Sequence, residues 1–264
     1  TSITPFGLSG PHRDYAASDL TLWNAGGAAY LNGAGPGSDD LPPLLAFGHQ
    51  ASFQGGLNGA LASLAALFAR TASGGGQYVE VSIQESVATI LELTYPFWPY
   101  CQLVASRLGV KPIQPLDFFE CKDGWVFLCA VEEHQWRTFV ELMGSPEWGE
   151  LDIFSDRLQR GANWDALKPM IAEWMAGETV QEVYALLQRR RVPIAPVSTM
   201  GDLLGSQHLR ARGFFVSFTH PRAGTTALPG APYVLSRTPW RLRRPAPLLG
   251  EHTREVLAEI GAGP

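Results

Sequence analysis

Apolar residues recur at helical spacing through the stretch between Phe53 and Ala72. Gly55, Gly56 and Gly59 leave another side of the same stretch without side chains, so a second backbone can approach it closely. The apolar positions are Leu57, Ala60, Leu61, Leu64 and Phe68. This pattern predicts one long helix, which the glycine-rich turn SGGG ends.

Shorter patterns flank this helix on both sides. The opening TSIT predicts a short strand, and small and apolar residues predict a helix from Asp19 to about Leu31, with Asp19 placed to cap or support its first turn. After the glycine turn, QYVEVSI predicts a strand, and Ser82 with Glu85 have the spacing of a capping box that begins another helix. Helix, tight turn, strand and helix in this order indicate one edge of an α/β layer.

The second half of the chain follows a proline-rich segment. Residues 96–115 contain four prolines and little periodicity, which is typical of a linker. Two alternating runs in LDFFECKDGWVFLCAV predict a hairpin with Asp123 and Gly124 in its turn. Strands are predicted around FFVSFTHP, and helical patterns occupy residues 134–143, 164–175, 180–188, 200–210 and 251–260.

Composition limits the classes of partner and compartment. With 45% apolar and 17% charged residues, the chain must bury much of its surface in a core or an oligomer interface. A net charge of −5 favours neither nucleic acid nor a membrane surface as a partner. Three cysteines without a pairing pattern, and the lack of a membrane-length apolar run, predict a cytoplasmic protein without disulfides. The histidines lack metal-ligand spacing, so we expect no metal site.

Six sequence stretches follow one another in a recognisable order. They are ITPFGLSGP, ARTASGGGQYVEVSIQES, ECKDGWVFL, VPIAPV, PGAPYVLSRTPW and PAPLLGEHT. Together they resemble the family III CoA-transferases, the CaiB/BaiF type that includes formate and carnitine CoA-transferases and the α-methylacyl-CoA racemases. The resemblance implies an α/β protein that contains the C-terminal two thirds of that fold and lacks its N-terminal nucleotide-fold segment.

The resemblance also implies how the chain is divided and what it binds. Residues 1–95 would form part of a large Rossmann-like domain, residues 96–115 a linker, residues 116–200 a small α/β domain, and residues 201–264 a segment that returns to the large domain. We expect an intertwined homodimer or a partner chain that carries the missing N-terminal segment. Acyl-CoA and carboxylic acids are the implied substrates, and no cofactor is expected to stay bound.

The reaction of the family requires a carboxylate. In the chemistry that the resemblance implies, a carboxylate attacks the thioester, and the resulting anhydride is activated enough to regenerate a thioester, whereas a seryl ester is not. Counting back from the glycine turn, the family's aspartate falls at Ala51 or Ser52, within the stretch GHQASFQGG. Neither residue is acidic, so His49, Gln50 and Ser52 are the candidate catalytic residues at this position.

Three hypotheses explain the missing acid. This segment is the noncatalytic structural half of a fused or two-part transferase, or a carboxylate such as Asp39 or Asp40 on a nearby loop completes the site. In the third, Ser52 and His49 act as nucleophile and base of an acyl-CoA hydrolase, although no G-x-S-x-G elbow surrounds the serine.

The resemblance further indicates where CoA binds. In the racemase branch a His-Asp pair stands where this chain has Ser18 and Asp19, so racemisation through these residues is not expected. Asp19 matches a family position near the CoA moiety, although a helix cap is the alternative role. His12 and Arg13 follow a Gly-Pro turn, and Arg13 offers a forked donor for a CoA phosphate.

Overall fold

The structure is a computed structural model that describes residues 1–33, 41–92, 94–105 and 113–262. Its helices are α1 (Asp19–Ala25), α2 (Ala28–Leu31), α3 (Gln50–Ser73), α4 (Ile83–Ala88), α5 (Phe97–Cys101), α6 (Glu133–Leu142), α7 (Arg157–Ala162), α8 (Trp164–Ala176), α9 (Val180–Arg189), α10 (Met200–Gly205), α11 (Gln207–Ala211) and α12 (Thr253–Glu259). Its strands are β1 (Ser2–Thr4), β2 (Glu80–Ser82), β3 (Leu116–Cys121), β4 (Gly124–Cys129), β5 (Ile194–Pro196), β6 (Phe215–His220) and β7 (Gly224–Pro229). Short 3-10 helices occupy Thr89–Leu91, Glu147–Glu150 and Asp152–Phe154.

The chain folds as two compact units that alternate along the sequence. The first unit comprises Thr1–Asp117, Leu128–Trp174 and Leu186–Pro193. The second comprises Phe118–Phe127, Met175–Ala185 and Ile194–Pro264. The four segments predicted from the sequence, at residues 1–95, 96–115, 116–200 and 201–264, stay a prediction.

Helix α3 connects the two strands of a parallel pair. Strand β1 pairs with β2 in the register Ser2 to Glu80, Ile3 to Val81 and Thr4 to Ser82. A β-α-β connection of this kind is the basic unit of an α/β layer. The long helix predicted between residues 53 and 72 is therefore confirmed and extends to Gln50–Ser73.

The glycine side of α3 lies against this strand pair. A Cβ atom added at Gly55 would lie 2.8 Å from Cγ1 of Ile83, and one added at Gly59 would overlap the Ile3 side chain. Gly55 and Gly59 are buried beneath the side chains of Ile3 and Ile83, whereas Gly56 is exposed. The close approach predicted for these glycines is therefore confirmed at two of the three positions, and side chains rather than a second backbone make it.

A second face of α3 is apolar and exposed. Its large side chains are Phe53, Leu57, Leu61, Leu64, Leu67 and Phe68, and each is at least half exposed. We call these six residues the α3 stripe. Helices in soluble proteins normally bury such a face. The described residues leave at least half of each of these side chains exposed, so the α3 stripe is a surface that another protein segment can bury.

Helices α1 and α2 correct one prediction from the sequence. The continuous helix expected from Asp19 to about Leu31 is wrong, because the chain breaks at Gly26 and Gly27. Gly27 has a φ of 89°, and a Cβ at Gly26 would lie 2.5 Å from Cβ of Val87 in α4. The break lets α1 pack closely on α4. A small core joins these helices and consists of Leu22, Ala28, Ala51 and Val87.

Most of the remaining elements have the predicted type, but α5 lies in the segment predicted as a linker, α7 was not predicted, and several boundaries differ. Strands β3, β4 and β5 form a sheet in that order, and β6 pairs antiparallel with β7. Gly124 opens β4 rather than lying in the hairpin turn, and Asp123 accepts a hydrogen bond from the N–H of Val180 at 2.8 Å. The helix predicted at residues 200–210 is two helices, since Ser206 ends one and caps the next. Among the described residues, no helix is long and apolar enough to cross a membrane.

Candidate active site

All three residues predicted to be catalytic lie at the start of α3. His49 is the residue before the helix, and its side chain caps no backbone group. The side-chain amide of Gln50 donates to the carbonyl of Phe47 at 2.9 Å, so it fixes the entry of the chain into the helix. Ala51 is fully buried and Ser52 is exposed. A side chain that reaches a substrate here must therefore come from position 52 rather than 51.

Asp19 is the acid that the fold brings to this turn. Its Oδ1 accepts a hydrogen bond from the Ser52 N–H at 2.7 Å, and its Oδ2 accepts a longer one from the Ala51 N–H at 3.4 Å. The first N–H groups of a helix have no partner within the helix, and a carboxylate satisfies them well. Asp19 therefore caps α3 from a site 33 residues away in the sequence.

A different residue, Ser18, caps α1. The Ser18 hydroxyl accepts from the N–H of Thr21 at 3.3 Å, and the Thr21 hydroxyl accepts from the N–H of Ser18 at 2.8 Å. Asp19 lies in the first turn of α1, as predicted, but is not its cap. Because Ser18 already accepts a hydrogen bond from an N–H group in the first turn of α1, the carboxylate of Asp19 is free to reach α3.

The environment of Asp19 keeps its side chain ionised. Partial burial by itself raises the pKa of the carboxyl group, but hydrogen bonds from the Ser52 side chain and N–H and from the Ala51 N–H outweigh that effect. The charge of His49 acts in the same direction as these bonds. The result is a pKa below the ordinary value of an aspartate. At neutral pH the start of α3 thus presents a carboxylate, although none comes from positions 49 to 52.

The predicted CoA-binding residues His12 and Arg13 lie on the exposed loop between β1 and α1. The His12 ring stacks on Tyr15 with a centroid distance of 4.6 Å and meets the edge of Phe6 at 5.8 Å. Arg13 forms an ion pair with the neighbouring Asp14 at 3.1 Å, and both side chains are exposed. An exposed pair of this kind is worth about 0–1 kcal/mol, so Arg13 is available to a phosphate. The role of both residues in CoA binding stays a prediction.

Other candidates from the sequence contribute less to this site. Asp39 and Asp40 lie outside the described residues. In the part of the chain that the structure describes, no three His, Cys, Asp or Glu side chains cluster as metal ligands would. Cys101, Cys121 and Cys129 are free thiols.

One buried polar cluster was missed by the sequence reasoning. The Arg160 guanidinium is fully buried and donates to both carboxylate oxygens of Glu133 at 3.0 Å. It also donates to the carbonyls of Gln114 and Phe154 and lies 4.8 Å from the ring centroid of Trp136. A polar cleft of about 440 Å³ opens beside this cluster. No sequence motif marks Arg160. A single arginine in a short helix is normally exposed, so the sequence gives no reason to expect it to be buried.

The fold and the start of α3 can be compared with known proteins. The sequence profile of CoA-transferase family III matches residues 1–253 of the 264 residues. The chain belongs to this family. It is 30% identical over 263 residues to the succinyl-CoA–L-malate CoA-transferase beta subunit of Chloroflexus aurantiacus. It is 32% identical over 272 residues to the succinyl-CoA:(R)-benzylsuccinate CoA-transferase subunit BbsE of Thauera aromatica.

These relatives are longer than the chain. The alignments include 98% and 99% of this chain but 64% and 65% of the two relatives. The probable CoA-transferase Rv1866 of Mycobacterium tuberculosis is longer still, since the chain aligns with 33% of it at 30% identity. The chain therefore spans about two thirds, or less, of the family members that it matches.

Solved structures confirm the α/β fold predicted for this family. A CaiB/BaiF family protein from Brucella suis has a TM-score of 0.79 and 24% identity, and the match includes 98% of this chain and 66% of that one. Rv3272 from M. tuberculosis has a TM-score of 0.80 and 20% identity, with 95% and 66% of the two chains matched. The identification as a CaiB/BaiF-type family III member, made from six sequence stretches, is confirmed.

Proposed function

We propose that the full-length protein transfers CoA between an acyl-CoA thioester and a carboxylic acid. Membership of CoA-transferase family III supports this proposal. Two of the three relatives described above carry succinyl-CoA in their names, which makes succinyl-CoA the first donor to test. CoA is then a substrate, and no cofactor need stay bound to the protein. We further propose a cytoplasmic location, because the three cysteines are unpaired thiols.

The observation that carries the proposal is the ionised carboxylate at the start of α3. Transfer between acids needs a carboxylate that attacks the thioester carbonyl and becomes an activated anhydride. Asp19 supplies a carboxylate 2.7 Å from the backbone nitrogen of Ser52. The first turn of α3 thus combines a carboxylate, an exposed position and the N–H groups of a 24-residue helix.

The same geometry argues against the hydrolase hypothesis. A serine nucleophile needs a base, and the lowered pKa of Asp19 makes it a weak base for the Ser52 hydroxyl. An oxyanion also needs free donors, whereas the N–H groups of Ala51 and Ser52 are bonded to Asp19. His49 precedes the helix, and its side chain takes no part in capping it. Ser52 with His49 is therefore the least supported of the three hypotheses.

A second candidate function is a noncatalytic half of a two-part transferase. Positions 51 and 52 carry no acid, and relatives of this chain include alpha and beta subunits of one transferase from C. aurantiacus. The exposed α3 stripe begins at Phe53, directly after Ser52. A partner chain or a second copy that covers the stripe would end beside the first turn of α3. We propose such an oligomer, either an intertwined homodimer or a pair with a chain that supplies the part of the relatives that this chain does not match.

The experiment that tests the function uses the full-length protein with its natural partner chains. It is incubated with succinyl-CoA and a panel of carboxylic acids, and new CoA thioesters are measured by mass spectrometry. Formation of an acceptor thioester together with free succinate supports CoA transfer. Release of free CoA and succinate without a new thioester would support the hydrolase instead. Succinyl-CoA that stays intact with every acid would refute the proposed donor class.

A further inference from the structure

Asp19 is the one acid that hydrogen-bonds the first turn of α3 among the described residues. We propose that Asp19 is the carboxylate nucleophile of this chain. The proposal rests on the CoA-transfer function above and places the reactive acid at position 19 instead of position 51 or 52. It replaces the CoA-binding role first expected for Asp19 by direct participation in the reaction.

The position of Asp19 allows it to take the place of the acid that is absent at position 52. Its carboxylate oxygens hydrogen-bond the backbone of residues 51 and 52, so they occupy the space next to the side chain of Ser52. With serine at position 52, a single carboxylate remains at the start of the helix. Asp19 is half-buried, so one edge of its carboxylate stays open to a substrate.

The reaction balances with Asp19 alone as the covalent group. An oxygen of Asp19 bonds to the acyl carbonyl carbon, the carbon–sulfur bond breaks, and CoA leaves as a thiolate. The thiolate then attacks the side-chain carbonyl carbon of Asp19, which releases the donor acid as a carboxylate and leaves an Asp19–CoA thioester. The acceptor carboxylate attacks that thioester and again releases CoA thiolate. Attack of the thiolate on the acceptor's acyl carbon gives the new acyl-CoA and restores the Asp19 carboxylate.

The hydrogen bonds to Asp19 fit such a sequence of charges. The N–H groups of Ala51 and Ser52 stabilise the free carboxylate before the attack. When Asp19 is acylated its negative charge disappears, and these donors then lie beside the carbon on which the next oxyanion forms. The N-terminal end of a 24-residue helix favours negative charge at both stages. The bond from Ala51, at 3.4 Å, is already long and is the one that is given up most easily.

A purely structural role for Asp19 makes different predictions, so two variants separate the roles. Asp19→Asn keeps one side-chain oxygen that can accept one of the two N–H bonds of α3 but removes the nucleophile. Asp19→Glu keeps the carboxylate but moves it by one methylene. Asp14→Asn is the matched control, because Asp14 is an exposed acid in the loop that precedes α1 and forms an ion pair with its neighbour Arg13.

The test uses the full-length protein, succinyl-CoA and hydroxylamine, with peptide mapping by mass spectrometry. We expect an aspartate hydroxamate at Asp19 in the wild type and none at Ser52. In Asp19→Asn, succinyl-CoA exchange should fall by at least about 10³-fold, the scale seen when a nucleophile is removed. Asp14→Asn should retain exchange within about twofold. The thermal midpoint of each variant shows whether it is folded.

Each remaining outcome decides between the proposals. A hydroxamate on another residue, with exchange intact, overturns the role of Asp19 and leaves the CoA-transfer function standing. If that residue belongs to a partner chain or lies outside residues 1–264, the noncatalytic half is the correct description of this segment. If Asp19→Asn fails to fold, the wild-type hydroxamate map alone gives the answer. A wild type without any exchange refutes the function together with the inference.

Discussion

Helix α6 carries two Arg–Glu ion pairs that differ in burial and in the number of their hydrogen bonds, and they allow a quantitative prediction. Glu133 binds Arg160 and Glu141 binds Arg190, each with a nitrogen–oxygen distance of 3.0 Å. The Arg160 side chain is fully buried and that of Glu133 is 38% exposed. In the other pair, Arg190 is 52% and Glu141 is 60% exposed. We expect Glu133→Gln to be much more destabilising than Glu141→Gln.

The magnitude follows from what each substitution leaves behind. Removing one partner of a buried ion pair costs about 3–5 kcal/mol, because the other charge stays buried without compensation. Arg160 keeps its bonds to two carbonyls, and water screens the partly exposed Glu133, so we reduce the expectation to about 2–3 kcal/mol for Glu133→Gln. Glu141→Gln should cost less than about 0.5 kcal/mol. The difference corresponds to a shift of the melting temperature of roughly 4–8 °C in a protein of this size.

The dependence on pH has a definite sign. Partial burial raises the pKa of Glu133, but the hydrogen bonds from Arg160 and the Arg157 N–H, together with the Arg160 charge, lower it below the ordinary value of a glutamate. A carboxyl group whose pKa is lower in the folded state stabilises the fold above its unfolded pKa, about 4.3. That stabilisation is lost as the pH falls through the folded pKa. The difference in the free energy of unfolding between the wild type and Glu133→Gln should therefore become smaller as the pH falls from about 5 to about 3.

Urea unfolding of the full-length protein at pH 7 measures these differences as shifts of the midpoint at constant slope. Repeating the measurement in 1 M NaCl should reduce the already small effect of Glu141→Gln and leave most of the effect of Glu133→Gln, since salt screens exposed pairs more. If the two variants have the same free energy of unfolding to within about 0.5 kcal/mol, the burial of Arg160 does not control the strength of its ion pair.

Three further predictions concern the packing, the capping and the exposed face of the helices. Gly26→Ala should cost about 1–3 kcal/mol in urea unfolding, because its Cβ would lie 2.5 Å from Val87; an unchanged midpoint would mean that α1 can move away from α4. Asp156→Ala should cost about 1 kcal/mol in the same assay, because the Asp156 carboxylate accepts two N–H groups at the start of α7 at 2.8 and 2.9 Å. Replacing Leu57 and Leu64 together by glutamate should dissociate the oligomer in light scattering, and an unchanged molar mass would exclude the α3 stripe as its interface.

The parts of the fold that were predicted from the sequence are those with a local pattern. The repeat of apolar residues and glycines predicted α3 nearly to its ends, and Ser82 was correctly placed as the start of α4. Boundaries failed where a distant contact decides the backbone. Gly26 and Gly27 look like tolerable residues inside a helix, and only the packing of Val87 against α1 requires the chain to break there.

The site shows the same division between local and distant information. The candidate position at the start of α3 came from the family resemblance, by counting back from the glycine turn, and the catalytic role of Ser52 stays a prediction. The contact between Asp19 and the first turn of α3 joins residues 33 positions apart, and no spacing rule connects them. Arg160 is similar, since its partners Gln114 and Glu133 lie 46 and 27 positions away.

A missing residue in a family pattern therefore does not establish a missing chemical group. What the reaction needs is a carboxylate at a place in space, and the fold can bring one there from α1 when the helix that usually carries it has serine. The capping of α3 gives Asp19 a structural role whether or not it reacts, because the N–H groups of Ala51 and Ser52 need an acceptor. Capping and catalysis make different demands on chemistry, since asparagine can still accept one of the two hydrogen bonds but cannot form an anhydride. The response of the protein to that one substitution thus separates a structural acid from a reactive one.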